Sequence, residues 1–112
     1  MVQIIEKSWG REEIIFNGEY CCKKLVYTRP FIKSSLHYHP KKHETFVIMS
    51  GTFAIYVEGH FENNLGGYLP GYSVVIPPGT KHQVTCLEPG VILESSSHDD
   101  PADCVRLIPS ET

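Results

Sequence analysis

Turn-forming residues interrupt this chain so often that no helix of useful length fits between them. Asn17-Gly18, Pro40, Ser50-Gly51, Gly59, Asn63-Asn64, Gly66-Gly67, Pro70-Gly71, Pro77-Pro78-Gly79 and Pro89-Gly90 punctuate it, and Gly, Asn and Pro end regular structure by supplying left-handed or fixed-φ positions. The runs between them are short and β-rich: EEIIF, CCKKLVYT, SSLHYH, ETFVIMSG, TFAIYVEG, YSVVIP, HQVTCL, VILESS and CVRLI. Such a series predicts an all-β barrel or sandwich. Between Thr45 and Val57 the alternation sets Phe46 and Ile48 against Thr45, Val47 and Met49, then Phe53, Ile55 and Val57 against Ala54 and Tyr56. Both faces are substantially apolar, which suits a two-layer barrel. The polar stretch Ser95 to Asp100 reads as a loop leaving it, and the lone Trp9 beside Gly10 as a packing anchor over one end.

At 112 residues the chain predicts one domain, able to bury roughly two thirds of its unfolded surface without a disulfide. A net charge of -3 and no Lys/Arg run longer than two residues argue against nucleic acid as a partner. The longest apolar stretches fall far short of the roughly 20 residues a bilayer span needs, and MVQIIEKSWG lacks a signal-peptide apolar region. The expectation is therefore no membrane association and a cytoplasmic location. Of the four cysteines, Cys21 and Cys22 are adjacent and point to opposite faces of a strand, and none has CxxC spacing, so free thiols are expected.

The metal chemistry then falls to histidine. Residues i and i+2 of a strand share a face, so His37 and His39 present two imidazoles to one point. After the Pro40-Lys41-Lys42 turn the chain re-enters a strand, which brings Glu44 or its neighbour His43 back beside them; only one of the two can face inward. Gly71 to His82 describes a strand, a tight turn at Pro77-Pro78-Gly79 and a second strand that starts at His82, able to enter the same barrel mouth.

These segments resemble the paired motifs of the cupin superfamily. The first motif, about 31–51, is matched by His37, His39, Glu44 and Gly51; the second, about 71–86, by Gly71, Pro77, Gly79 and His82. The resemblance implies a single-domain cupin over residues 1–112, a double-stranded β-helix or jelly-roll β-barrel, with one divalent metal ion held by His37, His39, Glu44 and His82. Mn, Fe, Ni and Zn all suit such donors. Two positions depart from the family pattern: Phe31 stands where Gly is usual, suggesting a bulky group near the pocket wall, and Cys86 where Asn is usual.

Glu6 to Glu13, around Trp9-Gly10, and the close Leu93 to Ser97 with Asp99, Asp100 and Arg106 look like cupins related to phosphomannose isomerase and D-lyxose isomerase. That likeness implies aldose–ketose isomerisation or epimerisation of a small sugar or sugar phosphate, in which a metal polarises the carbonyl and a base moves a proton between carbons. Glu94 and His98 are the candidate catalytic bases, and Lys33 and Arg106 the candidate substrate-binding cations. Two other readings share the ligand set: a non-haem iron dioxygenase and a non-catalytic sugar-binding module. His60, in a predicted turn, is expected at the surface. The Val2 to Ile5 run offers an exposed strand edge, and edges of small barrels are commonly covered by a partner chain, so a homodimer is expected.

Overall fold

The computed structural model describes residues 1–60 and 67–112. The predicted turn at Asn63-Asn64, with Gly66, lies outside the described residues. The rest is all β: β1 (Gln3–Lys7), β2 (Gly10–Asn17), β3 (Tyr20–Tyr27), β4 (Leu36–Tyr38), β5 (Glu44–Val57), β6 (Ser73–Ile76), β7 (His82–Ser97) and β8 (Val105–Ile108). The strands follow the order β1-β2-β3-β7-β4-β8, and β5 joins both β7 and β6, so the sheet curls into a barrel.

β5 and β7 are each longer than the sequence predicts, because Ser50-Gly51 and Glu88-Pro89-Gly90 bend strands instead of ending them. The two turn signals face each other across the ladder, with Ser50 opposite Val91 and Thr52 opposite Glu88, and the register shifts there. Both strands therefore kink together and keep pairing, from Glu44 with Ser96 to Val57 with His82. Only glycine fits the crossing: Gly51 has φ +79°, and a Cβ on Gly90 would lie 2.1 Å from the Ser50 carbonyl oxygen. The stretch read as a departing loop is likewise strand through Ser97, held by Ser97 N–H donating to the His43 carbonyl at 3.0 Å.

Burial alternates along these strands. Phe46, Ile48, Phe53 and Val57 of β5, Ile92, Cys86 and Val84 of β7, and Leu25 and Tyr27 of β3 form the core. Trp9 stacks on Tyr27 with ring centroids 4.2 Å apart, which makes it the packing anchor its position suggested. The opposite face of β5 is not a second core layer, since Met49 and Tyr56 are exposed. The inner surface has two halves: one apolar, the other lined by His82, Glu44, Glu94, Lys23, Lys42 and Ser96, all buried. All four cysteines are free thiols, and no helix among the described residues is long and apolar enough to cross a membrane.

Phe31 is not in the pocket wall. It is 69% exposed and has φ +66°, so the backbone keeps the left-handed conformation for which glycine is the usual residue. Its N–H donates to the Cys86 carbonyl at 2.8 Å.

Candidate metal centre

Three histidines converge at the polar end of the barrel. His37 of β4 stands directly opposite His82 of β7 in the ladder, with ring centroids 4.4 Å apart, and His39 lies 4.9 Å from His37. The two motif segments are tied together by Gly79 N–H donating to the His39 carbonyl at 2.8 Å. One nitrogen from each ring falls within 4.8 Å of the others.

The remaining ring nitrogens are already engaged. Nδ1 of His39 faces the Asp103 carbonyl at 2.8 Å, Nδ1 of His82 the Thr80 carbonyl at 2.9 Å, and Nδ1 of His37 the Ser35 carbonyl at 3.1 Å and hydroxyl at 2.8 Å. A carbonyl only accepts, so each Nδ1 is assigned the proton and each Nε2 is left as a bare lone pair facing the others. Burial holds the His37 imidazole neutral, lowering its pKa to about 3, with His82 and His39 adding to the effect; burial also lowers that of His39.

Glu44 completes the cluster from the first residue of β5. Its Oε2 lies 3.2 Å from His82 Nε2 and its Oε1 3.7 Å from His39 Nε2. The 3.2 Å contact lacks hydrogen-bond geometry, so Glu44 Oε2 and His82 Nε2 are buried with no partner. Two orphaned buried atoms beside neutral imidazoles fit a divalent cation, whose coordination would satisfy them. His43 is exposed and turned outward, its backbone N–H donating to Ser97 Oγ at 3.0 Å.

A network absent from the sequence reading surrounds Glu44. Lys42, 4% exposed, places Nζ 2.9 Å from Glu44 Oε1, 3.3 Å from Glu94 Oε2 and 2.8 Å from Asp99 Oδ1. Buried Lys23 continues it, 2.9 Å from Asp99 Oδ2 and 3.4 Å from Glu12 Oε1. Lys42 thus grips one oxygen of Glu44 and leaves the other facing the histidines. Asp103 positions both: its carboxylate accepts the Lys41 and Lys42 backbone N–H groups at 2.9 Å each, and its carbonyl holds His39. Burial opposes the Lys42 charge, but Glu94 and Glu44 outweigh it and raise its pKa. Glu44 is kept ionised below the usual carboxylate range: burial opposes this, but the Lys42 ammonium 2.9 Å from Oε1 prevails. Burial first, then the Glu44 charge, push Glu94 up to about 7.

All of this opens on one cavity of about 370 Å³, within the range of small-molecule sites. His37, His39, Glu44, His82, Glu94 and Arg106 line it. Lys33 and His98 do not. The Lys33 backbone N–H donates to Glu111 Oε1 at 2.9 Å. His98 is exposed, its Nδ1 donating to the Gly18 carbonyl at 2.7 Å.

A β-barrel with three histidines and a carboxylate at one end defines the class, and comparison with known proteins agrees: the cupin domain family matches residues 31–96. The chain belongs to the cupin family. It is similar to a Vibrio cholerae serotype O1 protein that carries the name mannose-1-phosphate guanylyltransferase, at 30% identity over 106 residues, spanning 89% of this chain but only 22% of that relative. Its fold is similar to that of an RmlC-like cupin from Shewanella frigidimarina, with TM-score 0.75 and 19% identity over 90% of this chain and 87% of the other. It is also similar to the capsular polysaccharide assembling protein CapF from Staphylococcus aureus, with TM-score 0.77 and 20% identity over 96% of this chain and 32% of that one.

Proposed function

We propose that this cupin isomerises or epimerises a small sugar, with His37, His39, Glu44 and His82 holding one divalent ion and Glu94 moving the proton. The carrying observation is Glu94: a buried carboxyl in the wall of the metal cavity whose pKa is raised to about 7. A general acid–base group works best with its pKa near the operating pH. Its Oε2 is held by Lys42 and by Ser96 Oγ, each at 3.3 Å, so Oε1 is the oxygen that takes and returns the proton. A divalent ion at the histidines supplies Lewis acidity toward a carbonyl and its neighbouring hydroxyl. His98, outside the cavity, has no part in this reading.

The sugar assignment draws support from the names of the similar proteins, one a mannose-1-phosphate guanylyltransferase and one a capsular polysaccharide assembling protein. We also place the protein in the cytoplasm, as a homodimer through the β1 edge, where Ile4 and Ile5 are exposed. Light scattering that shows a monomer at micromolar concentration refutes the dimer.

The test is turnover without oxygen. Protein loaded in turn with Mn²⁺, Fe²⁺, Ni²⁺ and Zn²⁺ is incubated anaerobically with aldoses and their phosphates in D₂O, and product and deuterium uptake are followed by NMR. Isomer formation, lost in Glu94→Gln while metal content stays, supports the proposal. Iron-dependent O₂ consumption with an organic substrate replaces it with the dioxygenase. Sugar that raises the melting temperature without any turnover replaces it with a binding module.

A further inference from the structure

The buried charges of the cavity are matched in a chain from Glu12 through Lys23, Asp99 and Lys42 to Glu44 and Glu94. Two cations in the same cavity wall are not part of it. Lys7 and Arg106 line the cavity, yet neither has an ion pair or side-chain hydrogen bond among the described residues. Register shows that they face inward. Arg106 stands directly opposite His37 in the β4–β8 ladder, and opposed residues share a face with Cβ atoms about 5 Å apart. Cys104 and Ser110, both an even number of residues away, line the cavity too. Lys7 lies two residues from Ile5, which lines the cavity and pairs with Glu12 of β2. Arg106 is exposed and Lys7 half-buried, so the pair sits at the outer rim.

We propose that Lys7 and Arg106 recognise an anionic group on the ligand, so that the substrate is an anionic polyhydroxy compound, a sugar acid or a sugar phosphate, bound with its hydroxyl end toward the histidines. The inference rests on the sugar reading for the identity of the carbon skeleton. It rests on the rim cations alone for the charge. Buried polar rows at the inner end and unmatched positive charge at the outer end give the cavity a direction, and a guanidinium fork and an ammonium in one cavity wall suit a carboxylate or phosphate. Asp100 is the acidic residue of the described lining that stands outside the chain of pairs; its Oδ1 accepts the Ala102 N–H at 3.0 Å, which directs it to its own turn. The Lys33 ammonium is not in this wall, so it is not the partner of Arg106 here.

The experiment is calorimetric titration of metal-loaded protein with three probes of one carbon skeleton: glucose, gluconate and glucose 6-phosphate. The variants are Lys7→Gln, Arg106→Gln and the double substitution, each checked for wild-type circular dichroism and metal content. At least one anionic probe binds about tenfold or more tighter than glucose, and each single substitution removes about tenfold, the scale of a charge-assisted hydrogen bond. The preference also shrinks with added salt. Whichever anion gains decides between carboxylate and phosphate. Glucose binding as tightly as both anions, a double variant that keeps the preference, or no anion binding at millimolar concentration overturns the proposal. The sugar reading fails separately: isomerisation of neutral sugars with no anion preference leaves it standing and removes the rim site, whereas anion preference lost in the double variant, with no isomerisation of any probe, does the reverse.

Discussion

Lys42→Met removes the one ammonium that three carboxylates share, at nearly constant side-chain volume. Nζ lies within 3.3 Å of Glu44, Glu94 and Asp99, and the residue is 4% exposed, so the loss is not screened by solvent. Removing one partner of a buried ion pair costs about 3–5 kcal/mol. With an unfolding entropy of about 2.1 cal/mol/K per residue, 112 residues translate that into a melting-temperature drop of about 13–21 °C. The loss depends on pH in a stated direction. Lys42 lowers the Glu94 pKa, so its loss raises that pKa further: at pH 6 Glu94 is protonated in both proteins and the variant leaves Glu44 without its cation and Asp99 with Lys23 alone, whereas at pH 8 the variant must also take up a proton at Glu94 or leave its charge unmatched. Thermal melts followed by circular dichroism in the presence of a chelator, at pH 6 and pH 8, read this directly. A drop of only a few degrees, or a larger drop at pH 6 than at pH 8, would refute the view that Lys42 is the counter-charge of the cluster.

Other perturbations follow from the same geometry. His37→Ala or His82→Ala is expected to strip a metal that His60→Ala retains, read by elemental analysis after desalting; Glu44→Gln should weaken affinity by about 10-fold or more while His43→Ala, whose ring faces outward, leaves it intact. Because burial lowers the His37 pKa to about 3 and lowers that of His39, proton competition at these two rings should not strip metal from the wild type as pH falls through 6.5; loss centred there that His37→Gln or His39→Gln shifts would contradict it. The same lowered pKa gives the unfolded chain more protons than the native one between about 3 and 6.5, so metal-free stability should decline as pH falls through that window. Phe31→Gly should relieve left-handed strain of about 1–3 kcal/mol at a glycine entropy cost of about 0.5–1 kcal/mol, and the mid-range net gain of about 1.2 kcal/mol raises the melting temperature by about 5 °C; a lowered melt would show that the exposed ring contributes packing that its exposure does not reveal.

The histidines of the candidate metal site are legible in sequence because each obeys a short-range rule. His37 and His39 share a face by period two, and the Pro-x-Gly turn delivers His82 to a strand start. What is not legible depends on contacts far apart in the chain. Lys42 looks like a solvated turn residue after Pro40, and it is buried because Asp103, some sixty residues later, caps the turn and Asp99 meets its ammonium. A local signal existed and was passed over: Lys42 is two residues from Glu44, and Lys23 alternates with Cys21, Leu25 and Tyr27, so both share the inward face. The bends at Ser50-Gly51 and Gly90 failed for the complementary reason. Glycine marks a backbone departure, but whether the chain reverses or kinks depends on the strand opposite, and here both partners kink together.

Charge explains why those hidden residues matter to the site. Glu12, Glu44, Glu94 and Asp99 face only Lys23 and Lys42 in the network, so two negative charges are unmatched when every carboxylate is ionised. Unpaired buried charge is too costly to keep, and one buried acid takes up a proton instead. That acid is Glu94, whose pKa is raised, while Glu44 beside the histidines stays ionised. As metal ligands the three imidazoles add no charge, so a divalent cation would match the two-charge deficit with Glu94 ionised and exceed it by one with Glu94 protonated. The arrangement that readies Glu44 Oε2 for a cation is therefore the same one that gives Glu94 a proton to exchange near neutral pH. The proposed ligand and the proposed base are set by one buried charge balance, and Lys42, in contact with both carboxylates, is the residue that couples them.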